Sequence, residues 1–239
     1  MIPKRIHYCW FGGRPLPLQA RLCLASWRYH LPDYELILWD ERSFDPASHP
    51  FTAAAYKAGR HAFVSDYVRM QALDRSGGIY MDVDVEVLAR FEEFLDSALL
   101  IGLEDRQRFA TSIIGCEAGH WLPRSMLDYY QRTSFDSSKL SELVNVNEVS
   151  RLLLDHGFDG EQGQVLGRER VLPIGVFADA RGQAHGVRGL ARHLYAGTWR
   201  HGGGKSWLSR LARSVRRFPE KLRAWVRLQR YLLAIAWRG

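Results

Sequence analysis

The chain has 239 residues, 46% of them hydrophobic, and a formal net charge of +7. This composition excludes an intrinsically disordered protein and provides enough apolar material for a large buried core. Three cysteines without a CxxC pair argue against a disulfide framework or a zinc site, and they favour a reducing compartment. Neither a signal-peptide core nor a membrane-spanning apolar run is found, so we expect a cytoplasmic protein.

The positive charge is concentrated at the C-terminus. Residues 205–239 contain ten lysines or arginines and one acidic residue, which leaves 23 basic and 25 acidic residues in positions 1–204. A glycine-rich RHGGGKS stretch separates the two parts. We therefore predict a nearly neutral domain over 1–204 and a basic helical tail over 205–239.

The apolar patterns predict alternating strands and helices from the N-terminus onward. Alternation predicts a strand over 6–10, helical spacing predicts a helix over 18–29, and the compact run YELILW predicts a strand over 34–39. A helix over 62–78 would end near Gly77, where a left-handed cap is favourable. Further predicted strands and helices complete an α/β fold: strands over 98–104 and 111–116, and helices over 121–132 and 146–157.

The stretch GGIYMDVDVEVL predicts one strand with Tyr80, Asp82, Asp84 and Glu86 on one face. Like charges in such a row repel each other, so they require free solvation or a cation. Carboxylates two residues apart, about 7 Å along the chain, can bind one hard divalent cation such as Mg²⁺ or Mn²⁺. An exposed acidic strand surface is the alternative interpretation.

A second pair of charges lies in the predicted helix before this strand. Asp66 and Arg69 are three residues apart and therefore on one side of the helix. They could form a surface ion pair of little energetic consequence. They could equally form an arginine held by an aspartate to contact a sugar or a phosphate.

Three separated motifs occur in one order: IPKRIHYCWFGG, then SWRYHLPDYELILWDE, then AFVSDYVRMQALDRSGGIYMDVDVEV. In this combination the chain resembles the DXD-containing sugar transferases of glycosyltransferase family 32. That group is related to the initiating α-1,6-mannosyltransferase of yeast and includes bacterial capsular polysaccharide enzymes. The resemblance implies a GT-A nucleotide-binding fold with a mainly parallel central sheet, in which the catalytic domain corresponds to residues 1–204.

The resemblance also implies roles for residues of the third motif. Asp84 would bind Mn²⁺ or Mg²⁺ directly, and Asp82 would contact the ribose and the metal shell. Asp66 and Arg69 would hold the donor sugar, with Tyr80 packed beside it. Asp66, Arg69, Asp82 and Asp84 are therefore the predicted catalytic residues.

Two further parts of the chain complete the implied donor site. Trp10 would lie beside the nucleotide base, although an aromatic core residue would produce the same pattern. The segment RHLYAGTW, 192–199, resembles the closing segment of the family, in which His193 would bind the metal or the diphosphate and Trp199 would cover it. Thr198 stands where the family usually has serine, which weakens this part of the match.

The implied reaction is transfer of a hexose from a nucleotide-diphosphate sugar to a glycan or a lipid-linked acceptor, with retention of configuration. The sequence shows no nucleophile for a covalent intermediate. Metal-dependent phosphoryl transfer is an alternative, but the phosphatase pattern DxDxT is lost because Glu86 replaces the threonine. GGGKS lacks the spacing of a phosphate-binding loop.

The tail contains two amphipathic pieces separated by Pro219, each with an apolar face and an arginine-rich face. This combination is typical of helices that lie on an anionic membrane surface. Binding of nucleic acid through arginines and aromatic residues is an alternative that the regular apolar faces do not favour. Packing of the tail onto the body is the other possibility.

Overall fold

The structure, a computed structural model, describes residues 1–177, 189–194 and 218–237. In these ranges helices alternate with strands over residues 5–81, as predicted, apart from two consecutive helices over 50–76. Further strands, two helices and a group of short strands follow, and a long helix ends the described chain. The elements are β1 (Arg5–Cys9), α1 (Leu18–His30), β2 (Glu35–Trp39), α2 (Pro50–Lys57), α3 (His61–Ser76), β3 (Gly78–Met81), β4 (Val85–Val87), β5 (Leu99–Asp105), β6 (Arg108–Cys116), α4 (Trp121–Arg132), α5 (Asn145–Asp155), β7 (Gln164–Leu166), β8 (Glu169–Leu172), β9 (Ala191–His193) and α6 (Phe218–Ala236).

Seven of these strands form one sheet in the order β2-β1-β3-β6-β5-β8-β7. The strands β2, β1, β3, β5 and β8 run in one direction, while β6 and β7 run in the other. The central sheet is therefore mainly parallel, and the prediction of an α/β fold is confirmed. Strands β4 and β9 lie outside this sheet and form an antiparallel two-stranded ribbon.

The sheet order reverses next to β1. The chain passes from β1 through α1 to β2 on one side, and then returns through α2 and α3 to β3 on the other side. In open α/β sheets a crevice forms at such a reversal, outside the carboxyl ends of the strands. Trp10 follows β1 and Asp82 follows β3, so both residues lie at this edge of the sheet.

Apolar side chains cover both faces of the sheet. Tyr80 of β3 belongs to the core that packs against α2, α3, α4 and α5. Its neighbours Ile79 and Met81 belong to the core under α1, which includes the fully buried Trp27. This alternation of side chains along a doubly covered strand is what a buried parallel sheet requires.

The helix before β3 ends as predicted. Gly77 follows α3 with φ of 60°, and its amide donates to the carbonyl of Leu73. A Cβ atom at Gly77 would lie 2.6 Å from the amide nitrogen of Ala118. Both the positive φ and the lack of space therefore require glycine where the helix turns into the strand.

The prediction of one continuous strand through GGIYMDVDVEVL is wrong. Strand β3 ends at Met81, a turn follows in which the Val85 amide donates to the Asp82 carbonyl, and β4 begins at Val85 in the separate ribbon. The carboxylates therefore do not form a row on one face. Asp82 and Asp84 lie in the turn, whereas Glu86 is fully buried in the ribbon.

The second amphipathic piece of the tail forms α6, which packs on α1. Leu228 is buried against Leu22 and Ala25, and Tyr231 packs beside them. Of the tail, the structure describes residues 218–237, so the first amphipathic piece lies outside the described residues. None of the described helices combines the length and the apolar character needed to cross a bilayer.

Candidate active site

The turn after β3 fixes Asp82 at the carboxyl edge of the sheet. Its backbone amide donates to the carbonyl of Ser112 on the neighbouring strand β6, at 2.9 Å. Its carboxylate oxygen Oδ1 accepts a hydrogen bond from the Tyr80 hydroxyl at 2.8 Å and lies 3.2 Å from a guanidinium nitrogen of Arg69. One oxygen is thus held by two donors, which orients the side chain.

Asp84 and His193 face each other across the end of the ribbon. Nε2 of His193 lies 3.1 Å from Oδ1 of Asp84, and the Leu194 amide donates to the Asp84 carbonyl at 2.9 Å. Asp82, Asp84 and His193 each present a ligand atom, and the three atoms lie within 4.8 Å of one another. Residues more than 100 positions apart are thus brought together as a possible set of metal ligands.

Arg69 is buried beneath these carboxylates and makes contacts in several directions. One terminal nitrogen donates to the Thr111 carbonyl at 2.6 Å, and the other lies 2.8 Å from Asp66 as well as near Asp82. Its guanidinium carbon lies 4.3 Å from the centre of the Tyr80 ring, a cation–π distance. The Asp66–Arg69 pair is therefore part of the buried core of the site and not a surface ion pair.

An asparagine that the sequence analysis missed completes this network. Nδ2 of Asn145, the first residue of α5, donates to Asp66 at 3.0 Å, and its Oδ1 accepts from the Thr111 hydroxyl at 3.1 Å. Asn145 and Thr111 both belong to segments with no catalytic motif. Only the tertiary structure therefore shows that they contact the predicted site.

The pKa values of Asp82 and His193 are both raised, for different physical reasons. Burial raises the pKa of Asp82, although the charge of Arg69 opposes the shift. For His193, burial alone would lower the pKa, but the hydrogen bond and charge of Asp84 outweigh it and the pKa is raised. The pair of carboxylates thus favours a positive charge at this position, which a proton or a metal cation can provide.

Asp66 makes the stability of the protein depend on pH. Burial raises its pKa from 3.8 to about 7; Arg69 opposes this shift, and the nearby Asp82 carboxylate adds to it. Because folded Asp66 retains a proton that the unfolded chain releases, its contribution to the free energy of unfolding falls as pH rises from about 4 to about 7. We expect Asp66→Asn to remove this part of the dependence, as urea unfolding in the presence of a chelator would show. A difference between the two proteins that stays constant over this range would contradict the prediction.

A small cavity of about 70 Å³ opens beside the carboxylates. The Ser112 hydroxyl at its wall is buried without a hydrogen-bond partner, which is unusual in a folded protein unless a ligand or water satisfies it. Glu104, at the end of β5, was not predicted as a site residue and also lines the cavity. The full lining is Asp82, Glu104, Ala110, Thr111, Ser112, Val146 and His193.

A larger cavity, of about 750 Å³, lies elsewhere and includes none of these residues. It is bordered by His30, Arg90 and Phe94, and by Val176 and Leu190. The chemistry of the small cavity, with its carboxylates and histidine, makes it the better candidate site.

Of the two tryptophans predicted to contact the donor, the structure describes only Trp10. Trp10 is half-buried, and its indole nitrogen donates to the carbonyl of Arg14 in the loop after β1. It lies at the same edge of the sheet as Asp82, and its role at a nucleotide base stays a prediction. Trp199 lies outside the described residues.

Comparison with known families identifies the class of protein. Residues 17–100 match the family model described as the glycosyltransferase sugar-binding region containing DXD motif. This range includes Asp66, Arg69, Asp82 and Asp84. The match covers about a third of the chain and confirms the resemblance to DXD-containing sugar transferases: the chain contains a glycosyltransferase domain. Among curated proteins, no sequence matches the chain.

One solved structure agrees with the GT-A type of fold. The PaToxG glycosyltransferase is 19% identical, with a TM-score of 0.52 over 65% of this chain and 69% of that one. The galactosyltransferase LgtC, in complex with donor and acceptor sugar analogues, is also 19% identical, over 74% of each chain, with a TM-score of only 0.33. At these identities the likeness to PaToxG concerns the fold alone.

Proposed function

We propose that the protein is a metal-dependent glycosyltransferase that moves a hexose from a nucleotide-diphosphate sugar to a surface glycan or a lipid-linked oligosaccharide, with retention of configuration. The observation that carries the proposal is the convergence of Asp82, Asp84 and His193 within 4.8 Å, beside the buried Arg69. Such a role belongs to the biosynthesis of surface polysaccharides.

The residues present fit Mn²⁺ or Mg²⁺. Asp82 and Asp84 offer the hard carboxylate oxygens that these ions prefer, and His193 adds a nitrogen ligand that Mn²⁺ accepts more readily than Mg²⁺. When bound, a divalent cation stabilises the negative charge that develops on the diphosphate leaving group. The unpartnered Ser112 hydroxyl in the same cavity is consistent with a site made to receive a ligand.

The chain's own side chains orient the donor site. Arg69 and Tyr80 both contact Oδ1 of Asp82 and so fix its carboxylate, and we assign the second oxygen to a ribose or a metal shell. Asp66 in turn holds the guanidinium of Arg69 in position, at 2.8 Å. By resemblance, Asp66 and Arg69 also contact the donor sugar, and Trp10 and Trp199 pack against the donor.

The test of this function is release of nucleotide diphosphate from a panel of nucleotide sugars, with Mn²⁺ or Mg²⁺ and without metal. Slow, metal-dependent hydrolysis of one donor would identify both its nucleotide and its sugar. Failure of every nucleotide diphosphate to bind at millimolar concentration in the presence of metal would contradict the proposal. Metal-dependent release of phosphate from a simple phosphomonoester would favour the phosphoryl-transfer alternative instead.

We also propose that the basic tail, residues 205–239, rests on the anionic cytoplasmic face of a membrane. One side of α6 packs on α1, while apolar side chains remain exposed on the remaining surface together with the exposed Arg223 and Arg230. Exposed apolar and basic residues on one helix suit burial among anionic headgroups. The exposed apolar residues are Leu222, Trp225, Val226, Leu232, Leu233 and Trp237.

Replacing both Leu233 and Trp237 by serine should therefore weaken binding to phosphatidylglycerol-containing vesicles about 10- to 100-fold, because each loses apolar area that the lipid would bury. Cosedimentation with vesicles measures the effect. Val165→Ser is the matched control, since Val165 is exposed on β7 and is not part of the tail. Unchanged binding of the double variant, or equally strong binding to RNA, would contradict the membrane proposal.

A further inference from the structure

Glu86 is a fully buried carboxylate that joins three parts of the chain. Its Oε2 lies 2.7 Å from a guanidinium nitrogen of Arg192 on β9 and also contacts the guanidinium of Arg227 on α6. The Tyr231 hydroxyl, on the same helix, donates to Oε1 at 3.3 Å. A buried charge of this kind is stable only when it is paired and hydrogen-bonded, as it is here.

The ribbon that carries Glu86 also carries two of the candidate metal ligands. Its register pairs Val85 with His193 and Glu86 with Arg192. Asp84 directly precedes β4, and its carbonyl accepts from the Leu194 amide. Any movement of Glu86 relative to Arg192 would therefore change the separation of Asp84 and His193.

The ribbon has little to stabilise it by itself. Each of its strands has three residues, and isolated two-stranded ribbons are marginal in water. Helix α1 supports one edge, because the Trp27 indole donates to the Val85 carbonyl at 2.7 Å and the Val87 amide donates to the Ser26 hydroxyl at 3.0 Å. The contact of Arg227 and Tyr231 with Glu86 is the support that comes from α6.

We infer that α6 holds the metal-ligand ribbon in position, and that Glu86 is the positioning residue through which it acts. This inference rests on the proposed metal-dependent function and gives the tail a second role, inside the protein. Arg227 and Tyr231 of α6 bind the Glu86 carboxylate by an ion pair and a hydrogen bond. Arg192 of β9, the residue before His193, forms a second ion pair with it. The separation of Asp84 and His193 in the folded protein thus depends on a helix more than 130 residues further along the chain than Asp84.

The test compares the affinity for Mn²⁺ among single variants of the full chain, measured by electron paramagnetic resonance below the unfolding temperature. Arg227→Met should weaken Mn²⁺ binding about tenfold, the size of effect seen when outer contacts of a metal site are removed. Glu86→Gln should weaken it at least as much, because it leaves two guanidinium groups without their shared carboxylate. Arg230→Met, an exposed arginine of the same helix, is the matched control and should leave the affinity unchanged.

The outcomes separate a positioning role from a merely structural one. If Arg227→Met lowers the melting temperature but leaves Mn²⁺ affinity as in the intact protein, the inference is overturned. If Arg227→Met does not fold, Tyr231→Phe keeps the ring and removes the hydrogen bond to Glu86; unchanged affinity in that variant would also overturn the inference. An intact protein that binds no Mn²⁺ would instead refute the proposed function on which the inference depends.

Discussion

Replacing Asp84 by asparagine is expected to reduce metal-dependent release of nucleotide diphosphate by about 100- to 1000-fold, because it removes an anionic ligand from the cation that stabilises the leaving group. The carboxylate oxygen of Asp84 lies 3.1 Å from His193 and within 4.8 Å of both other candidate ligand atoms. An amide keeps the shape of the side chain but lacks its charge. Initial rates at saturating Mn²⁺ measure the loss of catalysis. The Mn²⁺ dissociation constant of each protein measures the loss of metal binding.

Asp128→Asn is the matched control for this variant. Asp128 is exposed on α4, so the same chemical change there should leave both the rate and the affinity for Mn²⁺ unaltered. A rate for Asp84→Asn within about tenfold of the intact protein would show that the cation is not held by this carboxylate, since loss of a catalytic electrostatic contact typically costs more. The metal-ligand assignment would then have to be abandoned.

Replacing Arg69 by methionine is expected to have the largest effect on stability, lowering the free energy of unfolding by about 3–5 kcal/mol. The change leaves Asp66 and Asp82 buried without the cation they share, and it leaves the Thr111 carbonyl without its donor. Donor turnover should fall as well, because Asp82 loses one of the two contacts that orient it. Urea unfolding and initial rates measure the two effects.

Arg69→Lys should lie between the intact protein and the methionine variant. An ammonium keeps the charge but cannot reach three acceptors in the planar arrangement of a guanidinium. Arg75→Met is the control, because Arg75 is an exposed residue of the same helix. If Arg69→Met and Arg75→Met were equally stable, the buried network around Arg69 would contribute nothing to the fold.

Much of the fold could be predicted from local patterns. Helix α4 has the bounds that its apolar spacing predicts, and β5 and β6 differ from their predicted ranges by a few residues. Each of these helices and strands buries one or both of its faces, so apolar residues recur in its sequence with the period of a helix or a strand. Helix α2 and the strands β7, β8 and β9 were missed. The strands have three or four residues, too few for a period to be recognised.

The break between β3 and β4 could not be predicted, for a different reason. The alternation from Tyr80 to Glu86 is that of a continuous strand, but the chain turns at Asp82 because β6 and β9 provide separate partners for the two halves. Those partners come from distant parts of the sequence. The repulsion expected among the three carboxylates is therefore reduced, because Glu86 pairs with Arg192 and Arg227 and only Asp82 and Asp84 remain close together.

The pairing of β4 with β9 also bears on the order in which the protein folds. Glu86 and Arg192 are 106 residues apart, and Glu86 and Tyr231 are 145 apart, whereas Arg69 and Asp82 are separated by 13. Closing long loops costs conformational entropy before their contacts form, so distant pairings slow folding while local ones do not. The acidic turn can thus form together with α3 and β3, whereas His193 can join Asp84 only when a loop of 193 − 84 = 109 positions has closed. The cation site is in this sense completed late, and a chain arrested before that step would have its sheet core but no place for the ion.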